Sequence, residues 1–182
     1  LYNPAKEYGT PDDVQNIPHP IIGYMGTINS TRLDGELLYQ IISQRPDYSF
    51  VFTGPEDDGF RQHRIHSLKN AYFTGQKKVD ELPAYITAYD VCINPQMVND
   101  ITDGNYPLKI DEYLAMGKPT VATSTHTMRH IFADHTHLAT NPEEWLSAID
   151  RAVTEADDKE LAKQRIAFAE THSWGHSVKK IY

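Results

Sequence analysis

Apolar residues along this chain come in short runs separated by stretches with helical spacing, and the two patterns alternate from residue 21 onward. The runs at 21–25, 48–53, 71–73, 91–94, 120–123 and 137–139 are short and almost uniformly apolar, which predicts strands buried on both faces. Between them, apolar positions recur every three to four residues at 33–44, 61–67, 81–88, 107–116, 126–132 and 142–155, predicting amphipathic helices. Such alternation implies right-handed crossovers and a parallel sheet with helices on both sides: an α/β, doubly wound, Rossmann-like fold. Residues 1–20 carry four prolines, an Asp pair and no sustained period, so they are expected to form a linker leading into one domain at 21–182. Beyond Asp157, a plausible helix cap, the pattern predicts two helices interrupted near Ser173.

Doubly wound folds bind ligands outside the carboxyl ends of their strands, where the strand order reverses. Here that rule selects the loops at 26–32, 54–59, 74–79, 95–106 and 124–127, of which 95–106 is long and polar. It runs into Asn105-Tyr106-Pro107-Leu108-Lys109-Ile110-Asp111-Glu112-Tyr113-Leu114-Ala115-Met116-Gly117-Lys118-Pro119. A helix opened by Pro107 leaves its first N–H groups free, and these, with the positive end of the helix dipole, form an anion site suited to phosphate. Glu112, one turn on, shares a face with Leu108 and Ala115. A carboxylate there needs hydroxyl or N–H partners, and a ribose supplies two hydroxyls.

Composition narrows the field. With 182 residues the chain is long enough for one domain with a real core, and it begins at Leu1, so it is expected to be a piece of a larger protein. Its formal net charge of −8 argues against nucleic acid as a partner. Cys92, the only cysteine, lies in a predicted strand and is expected to be a buried, inert thiol. No apolar run approaches the ~20 residues of a membrane span. Among nine histidines, His126 and His130 have i,i+4 spacing, but no third ligand is convincingly placed, and solvent-facing or capping roles are favoured. Trp145 and Trp174 sit in helical patterns and are expected to pack rather than to stack on sugars.

Pro-Leu-Lys-x-x-Glu-Tyr-Leu-Ala-x-Gly-Lys-Pro, followed by the apolar run Thr120-Val121-Ala122-Thr123, resembles the donor-binding half of retaining GT-B glycosyltransferases of glycosyltransferase family 4. The likeness is closest to bacterial teichuronic-acid and exopolysaccharide enzymes with Asn-x-x-Thr before the proline, here Asn99 and Thr102. It extends from Gly23-Tyr24-Met25-Gly26 to His172-Ser173-Trp174. It implies a single C-terminal half of a GT-B fold that binds a UDP- or GDP-sugar without a metal cofactor. The acceptor, a saccharide or lipid-linked saccharide, would be held by an absent N-terminal domain. The expected location is cytoplasmic, or at the inner face of the membrane through that half.

The resemblance also distributes roles. Gly26, Thr27 and Arg32 would face the diphosphate, although Thr27 stands where many members have Arg and Arg32 where they have Lys. Gln76 and Lys77 would meet the base, with a generic turn at Gly75 as the competing reading. Lys109 would meet the diphosphate or sugar, or pair with Glu112 as i,i+3 neighbours. Glu112 would hold the ribose, beside Pro107 and Leu108 at the helix start. The family's first glutamate falls on Gly104, so Asp103, Thr102 or Asn105 would have to contact the donor sugar. Three further readings stay open: a nucleotide-sugar epimerase of the same architecture, a degenerate non-catalytic scaffold domain, and a receiver-type module. The last lacks the acidic residues it needs after its first and third strands.

Overall fold

Strand β1 (Ile21–Met25) shows how the chain sorts its side chains: Ile22 and Tyr24 enter one hydrophobic cluster, Ile21 and Met25 the opposite one, and all five residues are buried. The structure, a computed structural model, describes residues 1–172. Five further strands follow: β2 (Ser49–Thr53), β3 (Ala71–Gly75), β4 (Val91–Asn94), β5 (Thr120–Thr123) and β6 (His137–Ala139). They form one parallel sheet in the order β3-β2-β1-β4-β5-β6. The chain therefore winds outward from β1 to β3, returns to the centre at β4, and winds outward on the other side. A crevice opens between the carboxyl ends of β1 and β4.

Helices α1 (Gly35–Ser43) and α5 (Pro142–Thr154) cover one face through Leu38, Ile41, Ile42, Trp145 and Ile149. Helices α3 (Leu82–Ala88), α4 (Leu108–Ala115) and α6 (Lys159–Thr171) cover the other through Tyr85, Ile86, Ile110, Tyr113, Leu114 and Ala169. Each fully buried Leu, Ile or Phe contributes about 1.5–3 kcal/mol relative to exposure. Trp145 is fully buried, as a packing residue should be, and burial pushes the Cys92 thiol up to about 12, which makes it inert. Trp174, Ser173 and the second C-terminal helix lie outside the described residues.

Local details depart from the sequence pattern for identifiable reasons. The expected helix at 61–67 divides into α2 (Asp58–Arg61) and a 3₁₀ turn at Arg64–Ser67. His63 is extended between them, accepting from the Ile65 N–H at 3.0 Å, so that Phe60 and Ile65 both reach the core. The stretch predicted at 126–132 is a π-type turn at Met128–Phe132, with both end residues buried. Asp158, not Asp157, caps α6, accepting from Glu160 N and Leu161 N at 3.1 Å each. The leading segment, residues 1–20, contains only turns, but Val14 and Ile17 are buried in the second cluster and Asp13 accepts from the Tyr85 hydroxyl at 2.7 Å.

Candidate functional site

Among the described residues, helix α4 begins without a side-chain cap: Pro107 occupies the N-cap position, Ile110 N donates to its carbonyl at 3.0 Å, and the N–H groups of Leu108 and Lys109 are left at the open helix end. That helix end stands in the crevice between β1 and β4, and it divides the crevice into two lobes that share Thr27, Leu108 and Lys109. One lobe, of about 550 Å³, is bounded by Tyr24, Asn29, Arg32, Gln96, Asn105 and Tyr106. The other, of about 490 Å³, is bounded by Gly26, Gly54, Gln76, Lys77, Leu82 and Glu112. Among the described residues, the first lobe carries two cations, Arg32 and Lys109, and no carboxylate, on a chain whose net charge is −8. An acidic protein that keeps one concave surface cationic attracts an anion there.

Backbone pairing fixes this lobe. Asp34 N donates to Pro95 O at 3.0 Å and Met97 N to Arg32 O at 2.7 Å, so the loop after β1 is bound to the loop after β4. The Arg32 backbone is thereby fixed, and its exposed side chain borders the lobe. On the other side Gly26 takes φ 137°, and a β-carbon there would lie 2.7 Å from the Lys109 Nζ. Gly54, at φ 147°, lets the Gly26 carbonyl approach to where its own β-carbon would be, 1.9 Å away.

Lys109 does not form a salt bridge with Glu112. Its Nζ donates to the Tyr24 hydroxyl at 2.8 Å and lies 4.3 Å from the Tyr24 ring centroid. Burial lowers its pKa to about 8; Glu112 opposes this and Arg32 adds to it. Burial likewise raises the Glu112 carboxyl, with Lys109 pulling the other way. Tyr2 lies beside Glu112, and burial together with that carboxylate raises its phenol.

The other candidates take different positions. Gln76 lines the second lobe, but the Lys77 ammonium is drawn away to Asp13 at 2.8 Å, leaving its backbone and stem at the wall. Asn105 lines the first lobe; Thr102, Asp103 and Gly104 line neither. Thr102 is buried and its hydroxyl bonds the Met97 carbonyl within the loop, while the Asn99 side chain accepts from Thr102 N at 3.0 Å. One Asp103 carboxylate oxygen accepts from His126 N at 2.9 Å and so ties the loop to the π-type turn. The ring centroids of His126 and His130 lie 4.0 Å apart with the planes tilted by 32°, and no group of three or more potential metal ligands occurs among the described residues. Sequence reasoning missed Tyr24, Asn29, Gln96 and Tyr106. Asn29, Gln96 and Tyr106 lie in two of the selected loops, 26–32 and 95–106, so the rule about strand ends was sufficient to find them.

A family model described as Glycosyl transferases group 1 matches residues 19–155. The chain is 27% identical over 168 residues to TuaH of Bacillus subtilis (strain 168), whose name describes a teichuronic acid biosynthesis glycosyltransferase; the match covers 88% of this chain and 42% of TuaH. Among solved structures, HepE of Anabaena in complex with UDP superposes with a TM-score of 0.70 at 15% identity, covering 90% of this chain and 49% of that one. Sucrose-phosphate synthase of Thermosynechococcus elongatus gives 0.62 at 20% identity, covering 89% of this chain and 45% of its own. The solved structures establish the fold, and the chain spans less than half the length of these relatives. No helix among the described residues is long and apolar enough to cross a membrane.

Proposed function

The chain belongs to the glycosyl transferases group 1 family, and from that premise we propose that it is the donor-binding domain of a retaining GT-B glycosyltransferase that moves a sugar from a nucleoside diphosphate to an acceptor hydroxyl. The observation that carries this reading is the uncapped start of α4, flanked by Arg32 and Lys109, with Glu112 one turn below. A diphosphate at the helix start meets free N–H groups, the helix dipole and two cations. As the bond between the anomeric carbon and the diphosphate oxygen breaks, negative charge grows on that oxygen, and these groups stabilise it without a metal ion. The acceptor oxygen bonds to the anomeric carbon and its proton is released.

In this reading the nucleoside occupies the lobe with Glu112, which accepts hydrogen bonds from both ribose hydroxyls, and the base lies against Gln76 and the Lys77 backbone. The sugar lies in the other lobe. Asn29, Gln96 and Asn105, rather than the carboxylate the family places at the position of Gly104, contact its hydroxyls. HepE carries UDP, which makes UDP the first nucleotide to test. A saccharide or lipid-linked acceptor is bound by the part of the protein that this domain does not supply, in surface polysaccharide synthesis.

Incubating the protein that contains this domain with UDP- and GDP-sugars and a saccharide acceptor, and reading the new anomeric proton by NMR, tests the reading. A product with the donor's anomeric configuration supports it. Epimerised donor without transfer supports the epimerase, and nucleotide binding without either reaction supports the scaffold.

A further inference from the structure

We propose that Tyr24 is a positioning residue for Lys109: its hydroxyl holds the ammonium at the junction of the two lobes, and diphosphate binding there is coupled to proton uptake by that amine. The proposal rests on the donor-site reading and adds to it a residue and a proton. Tyr24 is a buried residue of β1, yet its hydroxyl emerges at the strand's carboxyl end. It donates to the Thr27 carbonyl at 2.9 Å and accepts from Lys109 Nζ at 2.8 Å. Because its one proton is committed to Thr27, its lone pairs are left to face Lys109, and the phenol acts as a fixed acceptor. The ring supplies a second attraction, with the ammonium 4.3 Å from its centroid.

The surroundings make the amine's charge conditional. Arg32, from the loop before α1, faces it as a like charge; Glu112, from its own helix, faces it as an opposite one; Tyr24 faces it from β1. Among the described residues no acidic group reaches it within salt-bridge distance, and burial lowers its pKa to about 8. A diphosphate arriving at this point brings two or more negative charges, restores the ammonium and draws a proton from solvent when the pH is above that value. Tyr24 has a mechanical role as well: with Gly26 lacking a β-carbon, its hydroxyl and ring limit where the Lys109 side chain can lie. A lysine free to swing would reach Glu112 and occupy the carboxylate intended for ribose.

The test is calorimetric titration of wild type, Tyr24→Phe, Lys109→Met and the double variant with UDP and with GDP between pH 6.5 and pH 9.5, in buffers of different ionisation enthalpy. Phenylalanine keeps the ring and therefore the fold, which thermal melting verifies. Wild type is expected to take up a proton on binding at pH 8.5 and to lose affinity with rising pH. Loss of a hydrogen bond to a charged group predicts that Tyr24→Phe weakens binding about tenfold at pH 8 and moves the alkaline limb down by about one pH unit. In the Lys109→Met background the same substitution changes affinity less than about twofold, because Tyr24 acts through Lys109. Equal losses in both backgrounds, or an alkaline limb unmoved by Tyr24→Phe, overturn the proposal. Absence of binding by wild type at pH 6.5 overturns the donor-site reading itself.

Discussion

A β-carbon on Gly26 would stand 2.7 Å from the ammonium of Lys109, so a side chain there would push the end of the lysine from its place beside the Tyr24 hydroxyl. Gly26→Ala also imposes a side chain at φ 137°. We expect that variant to lose about 1–3 kcal/mol of stability from backbone strain and to bind nucleoside diphosphates at least about tenfold more weakly. Chemical denaturation and calorimetry on the same preparation measure the two losses.

Lys109 is held in place at the expense of stability. Its pKa is near 8 in the folded domain against an ordinary value of 10.5. Between those values the unfolded chain binds the extra proton, so this residue's unfavourable contribution is complete below about pH 8 and fades as the pH rises toward 10.5. Lys109→Met is therefore expected to stabilise the ligand-free domain by about 1–3 kcal/mol at pH 7, with the gain shrinking by pH 10, while diphosphate binding weakens about tenfold but stays measurable. Urea denaturation at both pH values checks the sign.

Asp103 ties its loop to the π-type turn in this arrangement. Its carboxylate accepts from His126 N at 2.9 Å, and it lines neither lobe. Asp103→Ala should cost about 1 kcal/mol of stability, as loss of a cap does, and leave UDP or GDP affinity within about twofold. A large fall in donor affinity at unchanged stability would return Asp103 to the sugar site.

The sheet was legible because strands buried on both faces are apolar throughout, and each of the six expected strands is found within two residues of its predicted ends. The start of α4 at Pro107 was legible for a related reason, a proline in a position that packing alone does not explain, and Glu112 stands at the wall of the second lobe. Loop roles were not legible. Thr102 and Asp103 are sugar-contact candidates in the sequence, and nothing there shows that the Thr102 hydroxyl bonds the Met97 carbonyl or that the Asp103 carboxylate accepts from His126 N, because short polar side chains bond nearby backbone without any periodic signal. Lys77 is drawn to Asp13, from a segment whose pairing no periodicity reveals. Tyr24 reads as a core aromatic, and only the fold shows that its hydroxyl meets a lysine 85 positions away.

The most direct test of the account titrates this domain with UDP, GDP and ADP in the presence of a chelator, and repeats the series with Glu112→Ala. Glu112 lines the lobe assigned to the nucleoside and is not salt-bridged to Lys109. Metal-free binding of one nucleotide is expected, weakened by about tenfold or more in the variant through loss of the charged hydrogen bonds to ribose, with inorganic pyrophosphate bound equally by both. Nucleotide affinity that is the same with and without the Glu112 carboxylate, or binding that needs a divalent metal, would contradict it.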